Sequence, residues 1–174
     1  MRALIAVVAA ASVVVLGGAG VASATTATVH TATSKAAACQ PGTLKAVVTG
    51  TQAEMSSFGT VLKVTNTGKA TCTISGYAGL ALEGSGHKAV KTTVKHGSTY
   101  FTKNPGAHTV TLKHGQSAYA DLAWTRTGTH TANAKYLQIA PTGSNSHSTV
   151  GFSHPLDNGV LTETAWSTTR PKTN

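Results

Sequence analysis

Acidic residues are scarce in this chain: five in 174, against 14 lysines and arginines, for a formal net charge of +9. The scarcity bears first on chemistry. Glycosidase-type acid–base catalysis needs two carboxylates that meet, and Glu54, Glu83, Asp121, Asp157 and Glu163 form no local pair. Serine-hydrolase chemistry needs a nucleophile on a strained elbow, a histidine and an orienting acid. No Gly-x-Ser-x-Gly occurs, and Gly84-Ser-Gly-His87 reads as a loop. Aromatic residues make up only 5% of the chain and the arginines are unclustered. Neither a stacking stripe nor a recognition helix is therefore available for nucleic acid. Runs of Glu, Lys, Leu and Gln that would build long helices are also missing. Thr, Ser, Gly, Ala and Val dominate instead, which favours an all-β domain.

Long apolar runs are absent too, with one exception. Arg2 precedes an apolar stretch over residues 3–16, followed by Gly17, Gly18 and Gly20 and then Ala22-Ser23-Ala24. A short positive start, an apolar run and a small-x-small site predict a signal peptide over residues 1–24. The rival, an uncleaved anchor, meets a run near the lower length limit for spanning and diluted by Ala and Gly. Cys39 lies across a polar gap from that run, which argues against lipid attachment. No second run follows, so the cleaved chain is expected to have no membrane span and to be secreted, extracellular or wall-associated. Thr/Ala-rich residues 25–38 are expected to be a disordered tether, residues 39–167 one domain, and residues 168–174 a disordered basic tail. The two cysteines of an exported chain, Cys39 and Cys72, are expected to form one disulfide. Metal ligation or a reactive thiol is the alternative, weakened by the lack of paired histidines nearby in sequence.

What remains is punctuated alternation. Residues 44–49 alternate as a first strand, residues 50–57 read as a loop, and residues 59–65 as a second strand. Asn66-Thr-Gly68 has turn chemistry. Residues 71–74 then read as the return strand of a hairpin, with Cys72 and Ile74 inward. Gly76-Tyr-Ala-Gly79 is a corner. Leu80 and Leu82 start another strand, and Val90, Thr92 and Val94 continue as one polar edge strand carrying Lys88, Lys91 and Lys95. Lysines there also guard against edge-to-edge aggregation. Residues 116–125 alternate clearly, with Trp124 on the core face and Tyr119 and Asp121 on the other. Further strands are expected around residues 110–112, 137–139, 150–153 and 160–166, with residues 154–159 a turn. Eight or nine short strands between such turn signals predict a sandwich.

Val64-Thr-Asn-Thr-Gly68 and Cys72-Thr-Ile-Ser-Gly-Tyr-Ala-Gly79, with residues 110–124 and Tyr136-Leu-Gln-Ile-Ala-Pro141, give the chain a recognisable pattern. In these segments it resembles the secreted actinobacterial proteins that carry domain of unknown function 4232. The resemblance spans residues 39 to about 164. It implies an immunoglobulin-like antiparallel β-sandwich without an established activity, so no catalytic residue carries over. Many of the proteins it resembles have a second cysteine pair, near this chain's Ala134 and Asn158. Its absence here implies a looser C-terminal half.

Histidine is the one unusual chemical resource: His30, His87, His96, His108, His114, His130, His147 and His154. None has metal-site spacing in sequence. A site assembled in space by histidines is nevertheless one alternative, and a hydrolase built from distant residues another. The leading expectation is a non-enzymatic module without cofactor, whose loops contact protein or an anionic wall polymer. Residues 96–107 form its longest irregular stretch. Tyr100, Phe101 and Lys103 in that stretch, with Arg126 beyond the next strand, are the expected contact residues.

Overall fold

Alternating β-branched and polar residues become thirteen strands in the computed structural model, which describes residues 36–128 and 130–172. The expected signal segment and most of the expected tether lie outside the described residues. The strands are β1 (Leu44–Glu54), β2 (Ser57–Asn66), β3 (Cys72–Ser75), β4 (Gly79–Glu83), β5 (Ala89–Val90), β6 (Thr93–His96), β7 (Thr109–Leu112), β8 (Ser117–Thr125), β9 (Thr131–Asn133), β10 (Tyr136–Ala140), β11 (Ser148–Gly151), β12 (Pro155–Asp157) and β13 (Val160–Glu163). Single 3-10 turns occur at Pro41–Thr43 and Ser85–His87. A five-stranded sheet has the order β1-β2-β8-β13-β6, and a four-stranded sheet the order β11-β10-β4-β5. Two-stranded ladders β3-β7 and β12-β9 complete the layers. The chain is an all-β sandwich. Its pairs are antiparallel except β13 with β6.

Period-2 alternation fills the space between the layers. Leu62, Val64, Leu122 and Trp124 come from the larger sheet, Leu82, Leu137 and Ile139 from the smaller, and Ile74, Val110 and Leu112 from β3 and β7. Trp124 packs edge-on against Phe152 and lies near-parallel to Phe58. A void of about 10 Å³ beside Leu44, Ile139 and Trp166 holds one water at most. The layer therefore offers no room there for a ligand.

The expected hairpin of residues 60–74 does not form. β2 pairs with β1 and β8, whereas β3 pairs with β7. Asn66 is the reason. It is fully buried, its Nδ2 donates to the carbonyls of Ala70 and Leu112 at 2.9 Å each, and its Oδ1 accepts from Gly68 N at 2.9 Å. The Asn-Thr-Gly turn thus carries the chain between sheets. Asn66→Ala, which strands these buried groups, is expected to cost about 2 kcal/mol in urea unfolding.

Three further departures follow from the chain changing sheets or extending a strand. Residues 50–54, expected as loop, continue β1 through a bulge at Gly50 (φ 69°), and only Met55 and Ser56 make the turn. The expected single edge strand over Val90–Val94 is two: β5 edges the smaller sheet and β6 the larger. Residues 155–157, expected within a turn, pair with β9. The crossing into β13 demands glycine at 159, where φ is 68° and a Cβ would lie 1.9 Å from the Lys91 carbonyl oxygen.

Cys39 and Cys72 are disulfide-bonded. Ala37–Cys39 runs alongside β3, with Cys39 N donating to Thr73 O and Thr73 N to Ala37 O, both at 2.8 Å. Ala134 and Asn158 sit at opposite ends of the β9–β12 ladder, the first beside His154 and the second beside His130. Asp157 ties this region instead. It accepts from Thr127 N (2.7 Å), Thr127 Oγ1 (2.8 Å) and Gly128 N (2.8 Å), and these bonds hold its carboxyl down at about 2.

Candidate functional site

Alternation along β2 and β8 sends Val61, Asp121 and Ala123 to the outside of the larger sheet, yet all three are buried. Residues 97–107 cover them. Phe101 lies on Gly59, whose missing side chain makes the space: a Cβ there would sit 2.6 Å from the ring. Thr99 Oγ1 donates to Asp121 Oδ2 and accepts from the backbone N–H groups of Phe101 and Thr102. Asn104 fixes the far end, with Oδ1 accepting from Ala165 N at 2.9 Å and Nδ2 donating to Tyr77 Oη at 2.8 Å. Burial pushes the Asp121 carboxyl up to about 6, against the hydroxyls of Thr99 and Thr102. The loop is a clamped ridge rather than a free arm.

The ridge leaves open troughs on the sheet face. One runs beside Ser98, Thr99 and Tyr100, with Ser57, Thr125 and Thr162 facing them and Lys95 at its end. A second lies on the other flank, lined by Lys103, Tyr119, Ser167, Thr169 and Arg170. A third adjoins Tyr119 on its other side and includes Lys63, Gln116, Ser117 and Thr168. The segment after β13 separates these last two. Tyr119 and Ser167 exchange backbone hydrogen bonds (Tyr119 N to Ser167 O at 2.8 Å, Ser167 N to Tyr119 O at 2.9 Å), and Arg170 Nη2 donates to Thr49 Oγ1 at 3.4 Å. Among the described residues, no Asp or Glu lines either trough around Tyr119.

The profile of a family described as Domain of unknown function (DUF4232) matches residues 39–167, most of the chain. The chain belongs to the DUF4232 family. No curated protein and no solved structure matches it.

The carboxylates of this DUF4232 domain are dispersed. Asp121 faces outward under the ridge. Glu163 pairs with Leu122 across the ladder and so faces inward, fully buried. His96 Nε2 stands 3.2 Å from its Oε1, and burial pushes the Glu163 carboxyl up to about 8, against the Ala78 backbone N–H. Glu83 lies on the smaller sheet. His87 Nδ1 contacts it at 2.7 Å and Gln138 also bonds it, and the His87 bond leads in lowering its pKa.

The histidines are equally scattered. His87 stacks on Tyr136 and His96 on Tyr77, while His154 lies tilted against Trp124. Desolvation lowers the pKa of His154. Among the described residues, no three His, Cys, Asp or Glu side chains gather where one metal ion could be held.

The expected contact residues divide. Tyr100 is exposed, and the nearby charge of Glu54 at the tip of β1 raises its pKa, while Arg126 N donates to Ser56 O at 3.1 Å, so both stand by the β1–β2 turn. Lys103 faces the opposite flank of the ridge, and Phe101 packs inward on Gly59. Sequence reading put Tyr119 on the outer face of its strand but did not single it out. Lys63, Tyr119 and Arg170 lie far apart in sequence, and only sheet order brings them together.

Proposed function

We propose that this DUF4232 domain is a non-enzymatic, extracytoplasmic binding module whose ligand is an anionic cell-envelope polymer. The carrying observation is the face around Tyr119. There Lys63, Lys103 and Arg170 present cations among the hydroxyls of Ser117, Ser167, Thr168 and Thr169, with no carboxylate lining it. A net charge of +9 adds long-range attraction for a polyanion. The separation of the carboxylates supports a binding role over hydrolysis, since no two are placed to act as acid and base. The paired cysteines are in keeping with an oxidising compartment.

Cosedimentation with purified anionic wall polymer tests this reading. Reversing charge at Lys63, Lys103 and Arg170 together is expected to weaken binding at least about tenfold at low salt, and raising the salt should release the wild-type protein. Reversal at exposed Lys88, Lys91 and Lys135, none of which lines that face, changes net charge equally and should cost far less. Equal losses from the two triple variants would reduce the effect to bulk charge and refute the assigned face.

A further inference from the structure

The trough on the Tyr100 flank of the ridge is a different surface from the face around Tyr119, and its chemistry is different. We infer that it is a subsite for one or two sugar rings of an acidic glycan, with Tyr100 as the stacking platform and Lys95 as the contact for the acidic substituent. The inference adds a ligand class to the polymer reading and stands on separate residues.

Three observations carry it. Tyr100 is one of only two exposed large hydrophobic residues among the described residues, with 58% of its surface free. Its ring meets Phe101 edge-on with centroids 5.1 Å apart, and Phe101 is itself packed on Gly59, so the platform is braced from the ridge side. Facing it across the trough are the side chains of Ser57, Thr125 and Thr162, with Lys95 beside Thr162 as its neighbour in the parallel pair of β6 with β13. A pyranose has an apolar face that stacks on an aromatic ring and equatorial hydroxyls that exchange hydrogen bonds with serine and threonine. A peptide side chain would want an apolar pocket. Here Ala123, Val160 and part of Trp124 add apolar lining beside the tyrosine, but they open among hydroxyls and a lysine instead of closing a pocket.

The wall of the trough is also built from beneath. Thr99 is locked to buried Asp121, and Ser98 Oγ accepts from Asn104 N at 3.0 Å. The ridge therefore holds its shape before any ligand arrives, which lowers the ordering cost of binding. Asp121 acts here as a positioning residue and does not reach the trough itself.

The test is titration of the protein with a galacturonic acid tetrasaccharide and with neutral chitotetraose, followed by calorimetry and by NMR shifts. Saturable binding of the acidic sugar is expected. Tyr100→Ala should weaken it at least about tenfold and Tyr100→Phe less than about threefold, since stacking on the ring is the main term. Lys95→Ala should reduce the preference for the acidic over the neutral sugar. Charge reversal at Lys63, Lys103 and Arg170 should leave tetrasaccharide binding within about threefold, because those residues lie on the other flank. Melting curves of the exposed-site variants should match wild type. Absence of saturable binding at millimolar sugar, or a Tyr100→Ala variant that binds like wild type, overturns the subsite. If tetrasaccharide binding instead disappears with the charge reversal alone, the polymer-binding face stands and the subsite falls.

Discussion

Replacing Cys39 and Cys72 together with alanine should lower stability by about 4 kcal/mol and the melting temperature by roughly 15 °C. The figure follows from the 33-residue separation that the bridge closes. Without it, the unfolded chain regains the loop entropy the bridge removed. The native state loses less, because the segment before β1 keeps its backbone bonds to Thr73. Both cysteines are buried in the main core, at 2% and 7% exposure, so alanine also leaves a small cavity that adds to the loss. Against the 5–15 kcal/mol of an ordinary domain, this is a large share. Thermal melts of the double variant, and of wild type under reductant, should agree. A drop below about 4 °C in both would mean that the entry segment is held by its backbone pairing and not by the bridge.

The bridge was legible in the sequence because a short list of cysteines leaves little choice. So was the content of strands: apolar alternation over residues 116–125 is local, and β8 forms there with Trp124 inward. Strand partners were not. Asn66-Thr-Gly68 has the chemistry of a hairpin turn, but turn chemistry is decided by four residues and pairing by the whole chain. The Asn66 side chain reaches the Leu112 carbonyl 46 positions away, and this long-range bond directs the chain into the other layer. In the same way, Lys91–Thr92 reads as the middle of one strand, yet Thr93 N reaches Gly159 O and starts a new sheet partnership.

The candidate site was less legible for a related reason. A polar residue on the outer face of a strand reads as solvated, so Asp121 gave no sign that a loop would close over it. The sign was in two residues read separately. Gly59 leaves a gap on the face of β2, and Phe101 is an apolar ring in a polar loop, with free energy to gain by burial. Joined, they place the loop on the sheet. Once the loop is placed, Tyr100 has to stand at one flank and Lys103 at the other. The four expected contact residues therefore serve two surfaces and one packing contact rather than one patch.

Glu163→Gln should make the protein more stable at alkaline pH. The carboxyl is fully buried on the inner face of β13. Burial raises its pKa from about 4.5 to about 8. The native state therefore keeps a proton that the unfolded chain has already released. By linkage, stability is fully present below the unfolded value near 4.5 and falls as pH rises towards 8. A displacement of that size corresponds to on the order of 4 kcal/mol when ionisation is complete. His96, from the neighbouring parallel strand, is the titratable side chain at ion-pair distance. A gain of about 2–4 kcal/mol at pH 9 is the expected range. Asp121 contributes in the same direction but at lower pH, between its ordinary value and about 6. Desolvation of His154 acts in the opposite direction below its ordinary value of 6.5. The interval from pH 6.5 to 9 therefore isolates Glu163 among these three. Over that interval the wild-type melting temperature should fall while that of Glu163→Gln stays nearly level, and the two should converge near pH 5, where Glu163 is neutral and glutamine is its closest uncharged shape. Parallel curves across the interval would show that the Glu163 carboxyl does not change charge there and that burial is not holding its proton.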